Sequence, residues 1–285
     1  MPITDKDLLS MQEARNLATN AYEAQKIWGK ATQEQVDRVC AAMANAAFAA
    51  SGRLGRMAAE ETGFGVAEHK KLKNEFASKH VWESIKDIKT VGVINHDIAR
   101  SIYEIAWPVG VIAGLVPSTN PTSTAIDKIL ISVKARNGIV LAPHPFAVNC
   151  TLEAVNIMRD AAERAGAPAG LISAMSKISL QGTQELMGHK RIALILATGG
   201  GPMVRVAHSM GKPAYGVGPG NVPAYVDRSA DLEKAAKYIV SSKAFDFSTI
   251  CATEQAVVAD RQTDCRATSA VNGSRRRLFR GRGAG

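Results

Sequence analysis

The sequence contains no apolar run long enough to cross a membrane. Its longest apolar stretches are strand-sized and broken by Gly and Pro. The opening residues, Met1-Pro2-Ile3-Thr4-Asp5-Lys6-Asp7, lack the apolar core of a secretory signal, so the expectation is a cytoplasmic protein with no membrane partner. Cysteine is sparse. Cys40, Cys150, Cys251 and Cys265 lie far apart without metal-ligand spacing, and they read as free thiols in a reducing compartment with no metal site. Excess charge is missing from most of the chain as well. The first 260 residues carry 28 basic against 25 acidic side chains, whereas residues 261–285 hold seven Arg, one Asp and no Lys. The net charge of +9 therefore belongs to the last stretch, and the body offers no basic surface for nucleic acid.

What is present is an ordinary globular composition over 285 residues, enough for one large domain or two modest ones. Residues 5–29 place Leu8, Met11, Leu17, Ala21 and Trp28 at helical spacing. Thr32 starts a second helix that should stop at Gly63, and residues 66–87 form a third whose Lys70, Lys71 and Lys73 read as a solvated face. Two strands follow near residues 90–94 and 101–106. From Pro108 onward buried strands alternate with helices as far as Ser242, the pattern of a doubly wound parallel sheet. In such sheets ligands bind where strands end and helices begin.

Three strand ends and one loop stand out. In Val116-Pro117-Ser118-Thr119-Asn120-Pro121, Asn120 precedes a helix and is either its cap or an amide donor aimed at an oxyanion. Ala197-Thr198-Gly199-Gly200-Gly201-Pro202 offers bare backbone N–H groups at a helix start, suited to a phosphate or carboxamide. Tyr215-Gly216-Val217-Gly218-Pro219-Gly220-Asn221 implies either a plain turn or close backbone approach. Finally, Phe247-Ser248-Thr249-Ile250-Cys251-Ala252-Thr253-Glu254 sets one cysteine among small polar residues before a short apolar strand. Taken alone, a single cysteine reads first as a small core residue; in such a loop it is also reachable as a thiolate nucleophile.

Taken in order, these segments resemble the aldehyde dehydrogenase superfamily, and within it the coenzyme-A-acylating branch, including the aldehyde half of bifunctional aldehyde–alcohol dehydrogenases and acylating sulfoacetaldehyde dehydrogenases. The resemblance covers roughly residues 5–260. It rests on the segment from Val116 to Ile126, on Ala142-Pro143-His144-Pro145, on Leu194 to Gly200, on Gly216 to Asn221 and on Ile250 to Gln255. It implies N-terminal helices and oligomerisation strands over 1–107, a nucleotide-binding domain over 108–242, and the start of a catalytic domain over 243–260. Cys251 would be the nucleophile, forming a thiohemiacetal and then an acyl thioester. The Asn120 amide and the Cys251 backbone N–H would hold the oxyanion. Pro117, Ser118, His144, Thr198, Gly199, Gly200, Gly216 and Gly218 would line NAD or NADP. His144 falls where hydrolytic relatives carry a ribose-binding Lys, which leaves the choice between the two cofactors open.

Gly216 matches the position at which hydrolytic relatives place a Glu, the general base for water. Without that base water is a poor acceptor, and a thiol such as coenzyme A is the better one. Glu254 is a possible substitute base, weighed against a solvent-facing or structural role. The expected reaction is oxidation of a short aldehyde, acetaldehyde or sulfoacetaldehyde, to the acyl-coenzyme A. The alternative is a catalytically inactive nucleotide-binding fragment. Two departures stand against the family pattern. Phe247-Ser248 replaces the Asn-Gly common in relatives. After Arg261 periodicity is lost, Lys disappears and large apolar residues shrink to Val271, Leu278 and Phe279. Residues 261–285 thus read as out-of-frame text, or else as a native basic tail, and the catalytic domain as incomplete. A full-length relative would be a homo-oligomer.

Overall fold

The computed structural model describes residues 4–260 and 269–273. The chain divides into two compact units, one ending at Gly218 and one beginning at Pro219.

The first unit opens with α1 (Lys6–Trp28), where the Asp5 side chain accepts from Leu8 N at 2.9 Å and caps the helix. A capping box between Thr32 and Gln35 starts α2 (Gln33–Ala49). The stretch expected as one helix to Gly63 is two: the chain breaks at Ala50 and continues as α3 (Ser51–Thr62), closed by Gly63 in the left-handed region at φ 69°. Next come α4 (Ala67–Glu75), a π-turn over Phe76–His80 and α5 (Val81–Ile85). The hairpin follows as β1 (Gly92–Asp97) and β2 (Ile102–Ala106), paired antiparallel.

Then the alternation sets in: β3 (Val111–Val116), α6 (Pro121–Lys134), β4 (Gly138–Pro143), α7 (Val148–Arg164), β5 (Ile172–Ala174), α8 (Leu180–Gly188), β6 (Ile192–Thr198), α9 (Gly201–His208) and β7 (Ala214–Val217). The five strands pair in parallel in the order β5-β4-β3-β6-β7. The chain winds outward from β3 through β4 to β5, then returns to the other side of β3 with β6. The switch point of the sheet therefore lies between β3 and β6.

Both faces are covered, and the strand period of two divides the core. Ile112, Val116, Ile139 and Leu141 join residues of α2, α6 and α7 on one face. Val111, Ala113, Leu115, Val140 and Ala142 join Ala14, Ala18 and Ala21 of α1 and Leu186 of α8 on the other. Each fully buried Leu or Ile contributes about 1.5–3 kcal/mol. The N-terminal helices, expected as a segment of their own over 1–107, are thus built into the same unit as the sheet. Arg136 ties them down, donating to Gly29 O at 2.8 Å and Ala106 O at 2.9 Å.

The sheet expected to span 108–242 closes at Val217. In the second unit β8 (Val222–Val226) and α10 (Leu232–Ala244) lead through a short 3-10 turn (Phe245–Ser248) to β9 (Glu254–Ala259). The sequence suggests a strand near Ala256 without partners; instead β9 pairs in parallel with β8, from Val222 opposite Glu254 to Val226 opposite Ala259. An Arg228–Asp260 ion pair at 2.8 Å joins the segments just beyond the two strands. The reading of residues 261–285 as a basic, out-of-frame tail falls mostly outside the described residues; within it, 269–273 are helical. Among the described residues no helix is long and apolar enough to cross a membrane.

Candidate active site

The carboxyl ends of four strands bring together every residue expected to line a nucleotide. Pro117 and Ser118 follow β3, His144 follows β4, Thr198 closes β6 with Gly199 and Gly200 after it, and Gly216 and Gly218 stand at the end of β7. All lie along one edge of the sheet, with the β3 and β6 sets flanking the switch point.

The glycines along this edge fall into two kinds. A methyl group at Gly199 would meet nothing nearer than Met203 at 3.9 Å, and one at Gly200 nothing nearer than Pro202 at 3.8 Å. The fold's own packing does not demand glycine at either position. Gly200 also caps α9 without a side-chain hydrogen bond. Bare N–H groups at a positive helix end fit the pyrophosphate or carboxamide of a nicotinamide dinucleotide. Gly216 differs: a Cβ there would lie 2.4 Å from Val204 Cγ1 and 2.8 Å from His208 Nε2, both on α9. Glycine leaves this space to the Val204 and His208 side chains, and any larger residue would force both of them to move. His144 Nδ1 accepts from Phe146 N at 3.2 Å, so that nitrogen is the unprotonated one, and burial lowers the ring's pKa.

Asn120 occupies the first position before α6 but makes no side-chain cap bond there. Its amide turns instead to a neighbouring helix. Lys73 Nζ donates to Asn120 Oδ1 at 2.5 Å, and Asn120 Nδ2 donates to Thr119 Oγ1 at 3.2 Å. On the same face of α4, Lys70 Nζ donates to Thr119 O at 2.8 Å, and Asn74 Oδ1 accepts from Thr122 Oγ1 at 2.8 Å. Asn74 then donates to Ser51 O at 3.1 Å. The expectation of a solvated lysine face is corrected here: Lys70 is 2% exposed and Lys73 is half-buried, while Lys71 reaches Glu75 at the surface. Sequence reasoning missed the role of positions 70, 73 and 74. Their spacing sets all three on one helical face. Gly55, where a Cβ would sit 2.8 Å from Ala67 O and Lys71 N, lets α4 lie directly on α3 and brings that face to the turn.

In the second unit Cys251 is exposed, whereas Cys40 and Cys150 are buried. Burial pushes both of those thiols up to about 12, with Glu61 adding to the effect at Cys150, so neither is a nucleophile near neutral pH. Two threonines tie the loop on either side of Cys251. Thr249 Oγ1 donates to Asp246 Oδ2 at 2.5 Å, and Thr253 Oγ1 donates to Ile250 O at 2.9 Å. Ahead of it, Asp246, Phe247 and Ser248 hold left-handed backbone at φ 48°, 52° and 62°. Asp246 is fully buried, and Phe247 is largely exposed. Glu254 Oε2, three residues after the cysteine, is buried and lacks a hydrogen-bond partner among the described residues.

The Aldehyde dehydrogenase family description matches residues 2–276. The chain is 46% identical over 249 residues to the bifunctional aldehyde-alcohol dehydrogenase of Escherichia coli K12, covering 87% of this chain and 28% of that protein. It is 41% identical to the acylating sulfoacetaldehyde dehydrogenase of Bilophila wadsworthia, over 84% of this chain and 51% of the relative. The crystal structure of an acetylating aldehyde dehydrogenase from Geobacillus thermoglucosidasius superposes with a TM-score of 0.91 at 54% identity, over 95% of this chain and 60% of that one. The chain thus spans about a quarter to three fifths of the length of these relatives. The chain belongs to the aldehyde dehydrogenase family, on the side that holds its acylating members.

Proposed function

We propose that this chain carries the cofactor-binding and nucleophile segments of an acylating aldehyde dehydrogenase that oxidises a short aldehyde to an acyl-coenzyme A. The observation that carries this reading is the closed position at Gly216. A hydrolytic enzyme needs a carboxylate there to activate water, whereas this chain has glycine, with the Val204 and His208 side chains standing where a carboxylate would start. A thiol acceptor needs no such activation near neutral pH.

In this reading the Cys251 thiolate forms a bond to the aldehyde carbon. The Asn120 amide and the Cys251 backbone N–H would donate to the oxygen on which negative charge develops. Thr198, Gly199 and Gly200 would hold the dinucleotide, with Pro117, Ser118, His144, Gly216 and Gly218 along the same edge of the sheet. The nicotinamide of NAD or NADP, when bound, supplies the hydride acceptor. Cys251 then carries the acyl group as a thioester and leaves as thiolate when the thiol of coenzyme A attacks. The net reaction joins aldehyde, NAD(P)+ and thiol into thioester, reduced cofactor and one proton. Acetaldehyde and sulfoacetaldehyde are the substrates to try first, the second because the Bilophila wadsworthia relative carries it in its name. The exposed Val93, Ile94, Ile102, Tyr103, Ile105 and Trp107 on and after the hairpin support a homo-oligomer, to be measured by light scattering.

The deciding assay supplies aldehyde and NAD(P)+ with and without coenzyme A and identifies the product. Acyl-coenzyme A formed only when the thiol is present is the expected result. Steady release of free acid without coenzyme A, at a matching rate, overturns it. Cofactor binding without turnover of either aldehyde points instead to an inactive nucleotide-binding fragment.

A further inference from the structure

We infer that Lys73, on α4, is a positioning residue for the Asn120 amide. The inference rests on the role proposed for Asn120 above. An ammonium only donates, so the amide atom at 2.5 Å from Lys73 Nζ is the oxygen, and the orientation of the amide follows from chemistry. The nitrogen end is the end turned away from the lysine, and an oxyanion needs that end. Thr119 Oγ1 accepts one of its hydrogens at 3.2 Å, which holds the amide plane against a second point. A charged donor on the amide oxygen also draws electron density from the nitrogen, making its N–H groups stronger donors.

The support behind Lys73 is rigid. Lys70 holds the backbone oxygen of the preceding residue, and Asn74 holds the hydroxyl of Thr122 two residues on. Three side chains of one helical face therefore fix the turn before, at and after Asn120. A plain helix cap would need none of this, and Asn120 makes no cap bond. The N-terminal helices thereby reach an amide at the carboxyl end of β3.

Two measurements on the full chain test this. The first is the side-chain amide resonance of Asn120, identified by its loss in Asn120→Asp. In Lys73→Met it should move and its hydrogens should exchange about tenfold faster, while Lys73→Arg and the surface control Lys71→Met should leave it in place. The second is turnover. Lys73→Met should lower kcat about ten- to a hundredfold with KM and Tm little changed, and Lys73→Arg should restore most of it. An unmoved Asn120 resonance in Lys73→Met overturns the inference whatever the turnover, and so does an equal loss of kcat in Lys71→Met. A parent chain that turns over no aldehyde removes the functional reading, while the resonance still decides whether Lys73 sets the amide.

Discussion

Gly220 and the Cys251 carbonyl are in direct contact: a Cβ at Gly220 would lie 1.8 Å from Cys251 O and 2.8 Å from its carbonyl carbon. The glycine turn before β8 is therefore the seat on which the cysteine loop rests. Backbone cannot yield as a flexible side chain does. Gly220→Ala should push the loop away and destabilise the second unit by about 1–3 kcal/mol, the usual cost of overpacking. Thermal unfolding, together with the rate of Cys251 alkylation, reads both effects. An unchanged rate and melting point would show that the loop has slack.

Cys251 should stand apart in its chemistry. In the native chain a small alkylating reagent should label Cys251 within minutes and leave Cys40 and Cys150 unmodified until unfolding, because burial keeps those two thiols protonated. Peptide mass mapping decides this. Cys251→Ser should abolish aldehyde oxidation with cofactor binding intact. Turnover above a few per cent of the parent would remove Cys251 from the mechanism.

Asn120→Ala should lower kcat by roughly a hundredfold, the usual cost of one oxyanion donor. It should lower Tm by only a few degrees, since the Lys73 and Thr119 hydrogen bonds are lost but no cap bond is. An unchanged kcat would return Asn120 to a structural role, whatever the fall in Tm.

The left-handed run at Asp246, Phe247 and Ser248 costs about 1–2 kcal/mol per residue for side chains that carry a Cβ. Phe247 is 68% exposed and gives little burial in return. Phe247→Gly should therefore stabilise the second unit by about 1 kcal/mol, measured by denaturant midpoint. A lower midpoint would mean that the ring makes contacts worth more than the strain.

Lys128 runs beneath the sheet from α6 and donates to Leu196 O at 2.5 Å, past the bare Gly114 of β3. Burial lowers its pKa to about 7, well below the ordinary lysine value. Between these two values the unfolded chain binds the proton and the folded chain does not. This group therefore makes stability rise with pH from about 7 to about 10.5, and its cost is fully present below 7. Lys128→Met should abolish that slope. Chemical unfolding of both proteins at pH 7 and pH 9.5 is the check, and parallel slopes would show that Lys128 is hydrated.

The alternation of apolar strands with helices after Pro108 made the parallel sheet legible, because a period of two and a period of 3.6 are local properties. Thr32, Gly63 and the strand-end glycines were legible for the same reason: caps and bare turns are local chemistry. The cysteine loop was legible through its small polar neighbours. Tertiary structure alone decided the rest. The lysines at 70 and 73 look solvated in sequence and become one buried and one half-buried donor only because Gly55 lets α4 lie on α3 and face a turn some fifty residues away. Gly199 and Gly216 read alike as letters, yet only at Gly216 would a Cβ meet its neighbours, the Val204 and His208 side chains of α9. Likewise β8 leaves the main sheet to pair with β9. Each of these depends on which distant backbone comes close. That is a sum over many weak packing terms across the whole fold, and no short stretch of sequence contains it.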